Sequence, residues 1–185
     1  MIYGLPTSVE VCGTAYEINS DFRVVLDIFE VLNDPDLTDQ EKGFFTLGFF
    51  YPDFENMPTE HCQEALRQCF WFINGGEEED PQEQKGPQLV DWEQDFRYII
   101  APVNETVGHE IRADAYFHWW SFLAAYMEIG ECTFAQIIKI RDAKARGKKL
   151  DKADQEWYRK NRKIVDMKQR YSQAENDILK KWGGG

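Results

Sequence analysis

No stretch of this chain approaches the roughly 20 consecutive apolar residues that a bilayer-spanning helix requires. No N-terminal segment couples a basic start to an apolar run and a small-residue cleavage site, so the expected setting is a cytoplasm. Cysteine is scarce and scattered. Cys12, Cys62, Cys69 and Cys132 form no CxxC pair, which argues against the common zinc and redox frameworks. Cys62 and Cys69 lie two turns apart on a helical pattern, too far for a disulfide within one helix, and are read as plain thiols. Only three histidines occur, with neither an HExxH nor the paired Glu-x-x-His of di-iron bundles. A P-loop, a dinucleotide fingerprint and a nucleophile elbow are also missing, and Gly75-Gly76 is followed by acids that would repel a phosphate. The expectation is a binding protein without catalytic residues, metal or cofactor.

Positive charge is almost absent from the larger part of the chain. Residues 1–138 hold 6 Lys/Arg against 26 Asp/Glu, whereas residues 139–185 hold 15 against 7, within a net charge of −12 over 185 residues. An acidic body thus carries a basic tail, which either solvates and balances the body or docks on an acidic partner. Aromatic residues are plentiful instead. Thirteen Phe, eight Tyr and six Trp, each able to bury about 150–250 Å², supply enough apolar surface for one folded domain despite the high charge.

The pattern along the chain is mainly helical. Val9-Glu10-Val11 and Thr14-Ala15-Tyr16-Glu17-Ile18 alternate around Cys12-Gly13, which predicts a β-hairpin over 8–18. Asp21 caps a helix with Phe22, Val25, Leu26, Phe29 and Leu32 on one face. Thr38 and Glu41 make a capping box ahead of Phe44, Phe45, Leu47 and Phe49. A third helix from Thr59 carries the stripe Cys62, Ala65, Leu66, Cys69, Phe70 and Ile73 and ends at Asn74-Gly75-Gly76. Residues 74–88, with Gly75-Gly76, four consecutive acids at 77–80, Pro81, Gly86 and Pro87 and almost nothing apolar to bury, predict a mobile acidic loop within one domain.

Asp91 opens a helix that Pro102 should kink or end. The next is expected to run from Ile111 to Ile129, apolar over so wide an arc that it should be buried among neighbours. On its polar line Asp114 and His118 fall four apart, with Glu110 one turn earlier. That spacing permits metal binding or proton sharing, but the plainer reading is that Asp114 orients His118. Thr133 and Gln136 form another capping box, opening a helix that finishes in Arg141, Lys144 and Arg146 before Gly147, cations suited to its negative end. Asp151 then caps a long helix over 151–182. In it Trp157, Ile164, Tyr171 and Ile178 recur every seven residues as a narrow seam. The expected fold is mainly α: a single-domain multi-helix bundle at 1–150 with an N-terminal hairpin, plus a long C-terminal helix.

Asp21-Phe22-Arg23, His118-Trp119-Trp120-Ser121-Phe122 and Ile140-Arg141-Asp142-Ala143-Lys144, in that order, resemble the bacteriophage "gene product fifteen" family of tailed phages and prophages of Gram-positive bacteria. The likeness runs from about residue 15 to 165, and His-Trp-Trp-x-Phe is its most specific part. It implies a tail assembly chaperone that coats the tape measure protein in the host cytoplasm until tail-tube subunits replace it, and that is absent from the finished virion. A second chaperone, the tail tube protein or further copies of the chain are additional partners under this reading; neither membrane nor nucleic acid is expected. Two rivals stay open: a virion structural protein of the tail-completion or baseplate kind, and a nucleic-acid-binding regulator using the basic C-terminal segment. For partner binding the expected residues are Trp157, Arg159, Arg162, Ile164, Tyr171 and Ile178. The same seam could instead fold back into the core.

Overall fold

A computed structural model describes residues 4–78 and 86–175. The chain is mainly α with a short two-stranded hairpin and divides into two compact units. Among the described residues, 4–78 and 169–175 belong to the first and 86–168 to the second.

In the first unit β1 (Ser8–Val11) pairs antiparallel with β2 (Thr14–Glu17), Val11 opposite Thr14. Cys12 and Gly13 form the connecting turn with φ of 50° and 79°, the positive values that such a two-residue hairpin turn needs. The hairpin buries Val9 and Val11, and the Tyr16 hydroxyl shares a 2.9 Å hydrogen bond with His61 Nδ1. Helix α1 (Phe22–Asn33) starts at Asp21, whose carboxylate accepts from the Arg23 amide. Helix α2 (Asp39–Phe50) begins with the capping box formed by Thr38 and Glu41. A 3-10 turn at Thr59–His61 leads into α3 (Cys62–Ile73). There the Gly75 amide bonds Phe72 O and the Gly76 amide bonds Trp71 O, a Schellman closure for which Gly75 takes φ 73°. Phe22, Val25, Ile28, Leu47, Phe50, Tyr51, Cys69 and Phe72 form the core. Burial pushes the Cys69 thiol and the Tyr51 phenol far up, and Tyr51 donates its proton to Ala65 O at 2.9 Å.

The second unit packs α4 (Trp92–Val107), α5 (Trp119–Met127), α6 (Thr133–Ala145) and α7 (Lys152–Val165). Pro102 does not end α4, which continues to Val107. The buried Ile99, Ile100 and Val103 hold the helix on the core around the proline, and Thr106 Oγ1 donates to Pro102 O.

Three expectations are corrected here. Cys132, not Thr133, caps α6, its Sγ accepting from the Ala135 amide at 3.5 Å. The helix expected from Ile111 is broken: a 3-10 turn at Ile111–Ala113 is followed by non-helical chain, and α5 starts only at Trp119. His118, extended at φ −62° and ψ 137°, is its N-cap and accepts from the Trp120 amide through Nδ1 at 2.9 Å. Asp114 and His118 therefore do not share a helical face. Asp114 pairs with His109 at 2.8 Å, and Glu110 with Arg112 at 2.7 Å.

The C-terminal helix expected over 151–182 ends at Val165. Its last carbonyls are taken by side chains from elsewhere in the unit. Arg141 donates to Val165 O at 2.7 Å and Ile164 O at 3.2 Å, and Gln94 donates to Ile164 O and Asp166 O while accepting from the Lys168 amide. Asp166 turns extended, its carboxylate held by Lys144, Tyr158 and Arg162. The boundary expected at 150 thus falls inside the second unit, where α7 packs on α6. Of the acidic loop, residues 79–85 lie outside the described residues, as does Ile178.

Candidate interaction site

Helix α2 has two unlike sides. At about 100° per residue, the buried Thr46, Leu47 and Phe50 fall on one side, and Phe44, Phe45, Gly48 and Phe49 on the other. The three phenylalanines of that outer side are 60%, 42% and 41% exposed, together roughly 300 Å² of apolar surface, the size of patch that is often functional on a monomer. They are ordered by each other. The Phe44 ring stands edge-on to Phe45 at 5.9 Å and to Phe54 of the following 3-10 turn (Phe54–Asn56) at 5.3 Å between centroids.

Glu41 lies on the same side, one turn before Phe45, and Asp53 and Glu55 flank Phe54. Hydrogen bonds from the Thr38 backbone and hydroxyl lower the Glu41 carboxyl below its ordinary range, so this end of the face stays anionic. Gly48 sits among the rings without a side chain; a Cβ there would meet only Phe54 Cδ1, at an ordinary 3.8 Å. The fold does not demand glycine at this position. A cap and a run of apolar residues do not by themselves say which side of α2 these phenylalanines occupy. The signal was available: Phe44, Phe45, Leu47, Phe49 and Phe50 span more arc than one core contact can cover.

The residues expected to bind a partner are not brought into one line. Trp157 and Ile164 are half-buried in the second unit, against the cluster of Ile137, Ile140 and Val165. Arg159 is exposed, and Arg162 is exposed with its Nε 2.9 Å from Asp166. Tyr171 is exposed in the first unit, beyond the end of α7, so the heptad spacing does not correspond to a seam on one helix. Several cations of the basic segment are spent on neighbouring carboxylates: Lys139 on Asp154, Lys144 on Asp166, Arg146 on Asp142 and Lys160 on Glu156. That lowers the charge this segment offers to a polyphosphate chain.

The motif residues prove to be structural. Asp21 caps α1 and binds Arg23, whose guanidinium lies 4.7 Å over the buried Phe22 ring. Trp119 and Phe122 stack at 5.4 Å in the core of the second unit, while Trp120 is half-buried. Arg141 and Asp95, both buried, form a two-pronged ion pair, and Lys144 reaches Tyr158 and Asp166.

Among the described residues no helix is long and apolar enough to cross a membrane, and no group of three or more His, Cys, Asp or Glu is placed to hold a metal ion. In comparison with known proteins, neither a curated protein nor a solved structure matches the chain. A family model described as Bacteriophage Gp15 protein matches residues 1–167. It takes in all three motif segments and most of the chain, so the chain belongs to the Bacteriophage Gp15 protein family and is phage-associated.

Proposed function

We propose that this protein is a tail assembly chaperone that holds the tape measure protein of its phage during tail assembly, as a binding protein rather than an enzyme. The observation that carries this reading is the outer side of α2, where three neighbouring phenylalanines stand in solvent on a strongly acidic chain. A chaperone for a long helical client needs such a combination: apolar surface to cover the client's own seams, and net charge to keep the complex dispersed.

The size of the patch suits a temporary hold. Covering roughly 300 Å² returns about 7–8 kcal/mol gross at 25 cal/mol per Å², while association costs at least about 4 kcal/mol and often much more. One copy then binds weakly and many copies along one client bind well, which leaves each open to replacement by tail-tube subunits. Co-expression with the tape measure protein of the same phage tests the reading. The expected result is a soluble complex on size-exclusion chromatography, and an insoluble tape measure with no complex refutes it.

A further inference from the structure

We propose that the outer side of α2 is the docking surface for a cationic amphipathic helix, one with an apolar stripe flanked by Lys and Arg. This rests on the chaperone reading and deepens it by naming the chemistry of the client segment. The face is short and helical in scale. From Glu41 to Phe49 it spans about 12 Å along the axis, and Phe44, Phe45 and Phe49 offer a relief of the kind that takes side chains spaced three and four apart on a crossing helix. Gly48 adds no side chain to this side, and Phe54 Cδ1 would lie 3.8 Å from a Cβ there, so the α2 backbone is covered at this point by no more than the edge of that ring.

Charge selects the occupant. Residues 4–78 carry three Lys/Arg against fifteen Asp/Glu; beside the aromatic strip Glu41 and Lys42 lie in the turn before Phe45, and Asp53 and Glu55 neighbour Phe54, whose ring packs on Phe44. A partner that lays an apolar stripe on the phenylalanines sets its flanking residues against these carboxylates, so flanking cations are favoured and flanking acids repelled. The same argument disfavours a second copy of this chain. A two-fold contact through α2 would bring together two surfaces of the same net acidic sign.

The test uses the full chain and two labelled amphipathic peptides of about 18 residues, each with a leucine stripe, one flanked by lysine and the other by glutamate. The lysine peptide should bind at least about tenfold more tightly by fluorescence anisotropy, and the preference should shrink as salt rises from about 0.05 to 0.5 M. Phe44→Ser/Phe49→Ser should weaken its binding about tenfold or more with an unchanged melting temperature. Gly48→Gln, which covers this point with a good helix former, should weaken binding while preserving the fold. Met127→Ser, an exposed apolar position of the other unit, should have no effect.

Equal binding of the two peptides overturns the charge argument. Full binding by both α2 variants overturns the location. Self-association in sedimentation velocity that Phe44→Ser/Phe49→Ser abolishes assigns the face to a second copy instead. If the tape measure protein co-purifies equally well with the double variant, the chaperone reading stands and this site falls. If the lysine peptide binds at α2 but no tape measure complex forms, the site stands and the chaperone reading falls.

Discussion

Replacing Arg141 by Met should unfold the second unit well below the temperature at which the native protein melts. All five N–H groups of the Arg141 guanidinium are used: two on the Asp95 carboxylate at 2.5 and 3.0 Å, and one each on Leu89 O, Val165 O and Ile164 O. Arg141 is 5% exposed and Asp95 not at all. Methionine fills much of the same space but leaves Asp95, among the described residues, with only the Asp91 amide as a hydrogen-bond donor. A buried charge stripped of its partner costs about 3–5 kcal/mol, a large share of the 5–15 kcal/mol typical of a whole domain. For a unit of this size the melting temperature should fall by roughly 15–30 °C. Urea unfolding followed by tryptophan emission reports the event, because Trp119 is buried beside Trp92 in the same unit. Adding Asp95→Leu should restore at least about 1 kcal/mol, since removing both charges is milder than orphaning one. A loss below about 1 kcal/mol for Arg141→Met, or no recovery in the double variant, refutes the assignment of this pair as the lock of the second unit.

Within α2, Phe50→Ala should cost about 3–5 kcal/mol because its ring is fully buried, while Phe45→Ser should stay within about 0.5 kcal/mol in the same urea titration; similar losses at both positions would mean that the outer side is core. Asp166 supplies a pH test. Burial alone would raise its carboxyl, but hydrogen bonds from Lys144, Arg162 and Tyr158 prevail and hold it at about 2, against an ordinary 3.8. Its contribution is therefore full above about pH 4 and lost as pH falls through about 2. The urea midpoint of Asp166→Asn should lie below that of the native protein at pH 5 and converge with it near pH 2; a gap that stays constant over that range contradicts the assignment.

What could be read from the sequence was what neighbouring residues decide. Asp21, Thr38 with Glu41, Asp91 and Asp151 each cap the helix expected of them, because a cap satisfies amides two or three residues away. The hairpin was legible for the same reason: Cys12 and Gly13 alone set its turn. The end of α7 was not, because its causes are remote. Arg141 lies 24 residues before Val165, and Gln94 lies 72 before Asp166. A sequence-local count of helix formers carries straight on through Met167 and Tyr171, where tertiary hydrogen bonds turn the backbone out. His118 was misplaced by a similar competition. The wide apolar arc across Trp119 and Trp120 resembles the middle of a helix, yet the imidazole occupies the cap position, where its Nδ1 meets an otherwise free amide.

The heptad residues of the C-terminal segment and the docking face proposed on α2 differ in the same way. A heptad seam argues for an unseen partner only while the helix outruns the body. Once α7 stops at Val165, Trp157 and Ile164 pack half-buried against Ile137 and Ile140 of their own unit. On α2 the balance is reversed. Thr46, Leu47 and Phe50 are buried in its own unit, while Phe44, Phe45 and Phe49 leave roughly 300 Å² of apolar surface in water. Gly48, conformationally costly in a helix interior and unnecessary for packing here, is a further departure from a stability-optimised helix on the same side. Two such departures on one face, neither repaid within the described fold, are what a surface shaped for another chain should look like.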